Sequence, residues 1–147
     1  DYLFVAVSTC GTLAGTSQKI KEQFPNCKII AVDIVGSQIF EQSNRKKHIS
    51  GIGTGMIPQN LMHAKYDDYM IIEEVDAISE CNRLLSKGIA VGASSGAVAY
   101  AIQNYTGYSG DIESRKVVGI FPDRGERYLD TIYDKEWCNK IDVGILK

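Results

Sequence analysis

Apolar residues fall along this chain in short runs, separated by stretches of helical periodicity. Tyr2 to Val7 is continuously apolar, as a strand covered on both faces would be. Gly11 to Phe24 carries Leu13, Ile20 and Phe24 on one side of a predicted helix, which Pro25-Asn26 stops. Lys28 to Ile34 predicts a second strand. Two strands joined by one helix make a right-handed βαβ unit with a parallel pair. From Val35 to about Tyr66 the chain is polar and punctuated by glycine, and so long a loop in a compact domain usually carries function. Tyr69 to Ile72 is a short strand. Asp76 is expected to cap a helix with Ala77, Cys81, Leu84 and Leu85 at helical spacing and Gly88 as its stop. Ile89-Ala90-Val91 is expected as another short strand, Gly92 to Gly96 as a tight turn and Ala97 to Tyr105 as a helix. Lys116 to Phe121 is the last sheet strand, and Asp134 to Lys140 is a short closing helix. This alternation predicts an α/β fold: an open, mostly parallel twisted sheet with helices on both faces, in one domain over residues 1–147.

Composition narrows the function. With 44% hydrophobic and 23% charged residues and a net charge of -2, the chain is an ordinary globular one. The basic cluster Arg45-Lys46-Lys47-His48 is short, lacks interleaved aromatics, and reads as a solvated loop rather than a nucleic-acid site. No apolar run reaches bilayer length, so no membrane span is expected. The cysteines Cys10, Cys27, Cys81 and Cys138 form no CxxC pair, and His48 and His63 do not stand at zinc-ligand spacing. Reduced thiols, no metal and a cytoplasmic location are expected. The chain opens on Asp1, directly before a core-type strand, so it is expected to be a piece of a longer protein.

Four segments carry chemistry. In Ser8-Thr9-Cys10-Gly11-Thr12 a buried strand ends, small residues turn the chain and a helix begins. Unpaired N–H groups at a helix start attract an anion, and Thr9 and Thr12 add hydroxyls. The plain alternative is a capped strand-to-helix turn. A dinucleotide site, with Asp33 on the ribose, competes, but G-x-G-x-x-G is absent. Gly51-Ile52-Gly53-Thr54-Gly55-Met56-Ile57-Pro58 excludes regular helix and suits a loop near a ligand, its apolar residues arguing against a linker. Gly92-Ala93-Ser94-Ser95-Gly96 sets hydroxyls between glycines. No general base accompanies them, which argues against a serine hydrolase, but a serine hydroxyl can serve a ring nitrogen. Pro122-Asp123-Arg124-Gly125-Glu126-Arg127-Tyr128-Leu129 follows the last strand, where α/β proteins place ligands; a solvated ion-pair loop is the equal alternative.

In order and spacing these four segments resemble the fold-type II pyridoxal-phosphate (PLP) enzymes, cysteine synthase and cystathionine β-synthase among them, over about Tyr2 to Trp137. The resemblance implies the C-terminal portion of the large domain of a tryptophan synthase β-like fold. It aligns Ser8 to Thr12 with the Gly-Thr-Gly-Gly-Thr turn that holds the PLP phosphate. Gly51, Ile52 and Gly53 fall in the family's substrate-entrance loop, Ser94 in the Gly-x-Ser-x-Gly turn whose serine meets the pyridine nitrogen, and Gly125 to Leu129 in an unchanged Gly-Glu-Arg-Tyr-Leu signature. A neutral serine at that nitrogen weakens the electron sink and favours β-elimination and replacement. The implied reaction takes an O-activated L-serine, O-acetylserine or O-phosphoserine, with a nucleophile such as sulfide or an amino acid. Ser8-Thr9, Ala31-Val32-Asp33 to Phe40 and Pro-Asp-Arg-Gly look closest to the siderophore-pathway branch that makes N-(2-amino-2-carboxyethyl)-L-glutamate from O-phosphoserine and glutamate. A homodimer is usual in the family.

Two departures stand out. Cys10 replaces a family glycine. The family's Ser-x-Lys-Asp/Asn-Arg segment, which carries the Schiff-base lysine, has no counterpart here, so no catalytic residue is assigned within this chain. The missing N-terminal half is the expected partner. Alone, the chain is expected to hold a phosphate ligand without turnover.

Overall fold

The computed structural model describes residues 1–41, 45–110 and 112–141. Four strands form one parallel sheet: β1 (Tyr2–Ala6), β2 (Lys28–Ile34), β3 (Asp68–Ile72) and β4 (Val117–Gly119), in the order β3-β2-β1-β4. Tyr2 stands level with Lys28 on one side and Val117 on the other. Successive strand residues face opposite ways. Tyr2 and Phe4 of β1, with Ile30, Val32 and Ile34 of β2, pack on α2 (Glu74–Leu85) and α3 (Ala93–Asn104). Leu3, Val5 and Val7 pack with Ile29 and Ala31 against Leu13 of α1 (Gly11–Gln23). Helices thus cover both faces, and this is why Tyr2 to Val7 is apolar without alternation. Each large side chain so buried stabilises the fold by roughly 1.5–3 kcal/mol. The short helix α4 (Lys135–Lys140) begins where expected, because the Asp134 side chain accepts from the Trp137 N–H at 2.7 Å.

Several boundaries differ from expectation. Ile89 to Val91 is not a strand; Val91 makes a single antiparallel bridge to Arg124. Glu73, not Asp76, stands at the N-cap of α2, and Asp76 lies in its first turn, where its charge suits the helix dipole. The expected turn over Gly92 to Gly96 is mostly helix: Gly92 is the N-cap and α3 starts at Ala93. Of the apolar residues read at helical spacing, Leu85 and Phe24 are 42% and 59% exposed. The last strand shortens to three residues, and the loop after β2 contains a 3-10 turn over Gln59–His63. In each case a local preference yielded to tertiary packing.

Candidate functional site

β1 ends at the carboxyl edge of the sheet, and the chain turns at once into α1. Cys10 makes that turn at φ 58° and ψ 9°, the left-handed conformation. This region normally favours glycine, which explains why glycine is the residue expected here. The Cys10 side chain is turned away from the turn's open side. It is 3% exposed and packed with Leu3, Val5 and Leu13, its Sγ 3.7 Å from the Ser8 carbonyl. Burial, with the nearby Asp33 carboxylate, pushes this thiol up to about 11, so it stays protonated at neutral pH. The thiol therefore does not crowd the turn.

The N–H groups of Thr9, Cys10, Gly11 and Thr12 donate to no partner among the described residues, and α1 adds its dipole behind them. They face a cavity of about 200 Å³, walled by Ser8 to Thr12, Gly51, Ser94 and Pro122. The other three segments singled out in the sequence thus meet this turn's open side at the carboxyl end of the sheet. A phosphate fits this cradle on the strength of its free donors. Ser94, in the first turn of α3, stands across the cavity with a 2%-exposed side chain.

The remaining candidates serve differently. Ser8 lines the cavity, but its hydroxyl donates to the Gly53 carbonyl at 3.1 Å, so that proton is already committed. Gly53, at φ 69°, donates its N–H to the Val7 carbonyl at 2.7 Å, and a Cβ there would lie 2.6 Å from Ile34. Ile52 is wholly buried in the core, so within the trio 51–53 it is Gly51 that lines the cavity. Met56 and Ile57, read in the sequence as arguing against a linker, are both exposed. Asp33 is wholly buried on the α1 side of β2 and unavailable to a ribose. In the last segment Arg124, Glu126 and Arg127 are exposed, while Asp123 turns inward and accepts a short hydrogen bond from the Tyr128 hydroxyl. Burial and that acidic partner raise Tyr128 to about 12, so it remains a donor.

Two contacts were not legible in the sequence. Glu74 of α2 accepts from the N–H groups of His48 and Ile49, at 2.6 and 2.7 Å, and lies 2.9 Å from His48 Nδ1. It clamps the segment that leads into Gly51. Asn60 donates from Nδ2 to the Thr9 carbonyl at 3.0 Å. Both bridge residues far apart in the chain, and no local pattern encodes them.

Comparison with known proteins gives the family and the fold. A family described as "Pyridoxal-phosphate dependent enzyme" matches residues 1–123. N-(2-amino-2-carboxyethyl)-L-glutamate synthases of Cupriavidus metallidurans and Ralstonia nicotianae are each 38% identical over 144 and 142 residues, which is 96% of this chain in both cases. The chain spans only 42% and 41% of their lengths. Among solved structures, an O-acetylserine-dependent cystathionine β-synthase from Helicobacter pylori is similar at a TM-score of 0.80 and 31% identity, over 90% of this chain and 44% of that one. An O-ureido-L-serine synthase is similar at 0.82 and 26%, over 92% and 43%.

Proposed function

The chain belongs to the pyridoxal-phosphate dependent enzymes, and from that premise we propose that it is the cofactor-phosphate portion of an enzyme replacing the β-substituent of an O-activated L-serine. The carrying observation is the cradle of free N–H groups from Thr9 to Thr12 facing Ser94 across one cavity. The names of the relatives favour an amino acid over sulfide as the nucleophile. The product named for them, N-(2-amino-2-carboxyethyl)-L-glutamate, is a glutamate whose nitrogen carries a three-carbon unit, as an O-activated serine would supply.

In this reading Thr9, Cys10, Gly11 and Thr12 hold the phosphate through backbone donors, and the Thr9 and Thr12 hydroxyls are close enough in sequence to assist. Ser8 ties the cradle to the entrance loop instead of donating to the anion. Ser94 supplies a neutral hydroxyl to the ring nitrogen and leaves it without a full positive charge. When bound, the pyridoxal group withdraws electrons from the substrate α-carbon, which is what lets a β-substituent leave. Gly51 admits substrate beside the ring because it carries no side chain. The Schiff-base lysine comes from a further, N-terminal portion of the protein, and the complete enzyme is a cytoplasmic homodimer. The four unpaired cysteines suit a reducing compartment.

The test uses the whole protein that carries this chain. Purified, it should show the visible absorption band of lysine-bound cofactor and lose it on addition of O-phosphoserine or O-acetylserine. Pairing either donor with glutamate, homocysteine or sulfide then identifies the nucleophile, glutamate being expected. A colourless protein that takes up no cofactor sinks the reading. Turnover with sulfide alone would move it to cysteine synthesis.

A further inference from the structure

Asn60 reaches the phosphate cradle from the loop after β2. It is not a cavity-lining residue, yet its Nδ2 is 3.0 Å from the Thr9 carbonyl and would lie 3.8 Å from a Cβ on Gly11. The 3-10 turn that carries it (Gln59–His63) is anchored on α1. Gln18 donates to the His63 carbonyl at 2.9 Å, the Lys65 N–H donates to Ser17 Oγ at 2.8 Å, and Leu61 packs against the core under α1.

The hydrogen bond fixes one peptide plane. No peptide bond among the described residues is cis, so the Thr9 carbonyl and the Cys10 N–H point in opposite directions. With the carbonyl drawn outward to Asn60, the Cys10 N–H is directed to the other side of the turn, toward the cavity. A flip of this plane would exchange a donor for an acceptor in the anion site. It would also rotate Cys10 out of φ 58°, a conformation disfavoured for any residue but glycine. Replacing the family glycine by cysteine therefore biases this chain toward the flipped, anion-repelling turn, and a contact from outside must oppose that bias.

We propose that Asn60 is the positioning residue that holds the Thr9–Cys10 peptide in its anion-binding orientation, a role made necessary by Cys10. The proposal builds on the reading of the cradle as a phosphate site. Two predictions separate it from a merely structural role. Losing one hydrogen bond of this kind should weaken phosphate-group binding about tenfold. That loss should depend on Cys10, since glycine at position 10 tolerates the left-handed conformation unaided.

The experiment titrates PLP, and separately inorganic phosphate, into the cofactor-free whole protein and follows protein fluorescence and the phosphorus resonance of the bound ligand. Asn60→Ala should bind about tenfold more weakly than the parent, and Asn60→Asp more weakly still, since it brings a negative charge and no donor. Cys10→Gly in the Asn60→Ala background should recover affinity to within about threefold of the parent, a coupling that only neighbours acting on one element show. Unchanged affinity in Asn60→Ala overturns the proposal, as does an equal loss in the Asn60→Ala and Asn60→Ala/Cys10→Gly proteins. If the parent binds inorganic phosphate but not PLP, the cofactor reading fails while the phosphate titrations still decide the role of Asn60. If the parent binds neither, both ideas fall.

Discussion

At the scale of single residues, Asp33 is the least comfortable group in the molecule. Neither carboxylate oxygen has a partner at hydrogen-bonding geometry, and the side chain is wholly buried. Burial raises its pKa, while the Ile34 N–H, the Ser37 hydroxyl and Lys47 pull only partly in the other direction. The folded chain therefore keeps this proton to a higher pH than the unfolded chain does. Folding is least opposed by Asp33 below the ordinary aspartate range near pH ~4, and increasingly opposed as pH rises from there through its folded pKa. The Asp33→Asn variant should match the parent near pH ~4 and surpass it at neutral pH, as read from urea midpoints across that range. A parent that stays the more stable at every pH would show that the charge is compensated in a way burial does not reveal. Cys10 is the second unusual residue. Its backbone cost is offset by a thiol that fills the core beneath the turn, so a residue of the turn is at once a packing residue.

At the scale of elements, the α2–α3 contact decides where Ser94 stands. Gly96 lies one turn into α3, and a Cβ added there would overlap the Ala77 carbonyl and Cys81 Sγ of α2. The two helices approach this closely because position 96 has no side chain. Burial drives the Cys81 thiol up to about 12 despite a nearby Gly96 N–H, in keeping with a dry, tightly packed contact. Gly96→Ala should push α3 away and cost about 1–3 kcal/mol, as other overpacked core sites do. Thermal unfolding of parent and variant measures that cost, and an unchanged midpoint would show that α3 can shift freely. The N-terminus of α2 has a separate task. Glu74 there holds the backbone of His48 and Ile49, while Arg45 pairs with Glu73 at 2.9 Å. One helix start thus fixes the approach to Gly51, and one helix contact fixes the position of Ser94.

At the scale of the whole molecule, two apolar layers sandwich a sheet whose central strands are buried on both faces, and polar stitches close its lower end. Asp67 is the main stitch: it accepts from Lys21 of α1 at 2.7 Å, from Lys28 at 3.4 Å and from the Ile29 N–H of β2 at 2.8 Å. Burial by itself would raise its pKa, but the Lys21 and Ile29 hydrogen bonds outweigh burial and lower it. The stability it contributes is complete above the ordinary aspartate range and disappears as pH falls through the lowered folded pKa. Asp67→Asn should therefore reduce stability at neutral pH and flatten the loss of stability between pH ~4 and ~2, as followed by far-ultraviolet circular dichroism. An acid limb with the parent's slope would rule Asp67 out as a contributor. Among the described residues no helix is long and apolar enough to cross a membrane.

The sequence by itself determined the α/β order of elements and the turn at Ser8 to Thr12. Both follow from periodicity and small residues within a few positions of one another, which is local information. It also brought Gly51, Ser94 and Pro122 into question as site residues, though not their meeting around one cavity. Boundaries such as the start of α3 at Ala93, and the demotion of Ile89 to Val91 from strand to bridge, depended on what packs alongside. The direction of the Cys10 thiol, the commitment of the Ser8 hydroxyl to Gly53 and the reach of Asn60 to Thr9 belong to tertiary structure alone. Each is a contact between side chain and backbone whose partner is chosen by how the loops after β2 fold back over β1 and α1. No periodicity in the chain records that choice, because the energy of a single hydrogen bond is set by geometry and not by the residues on either side of it.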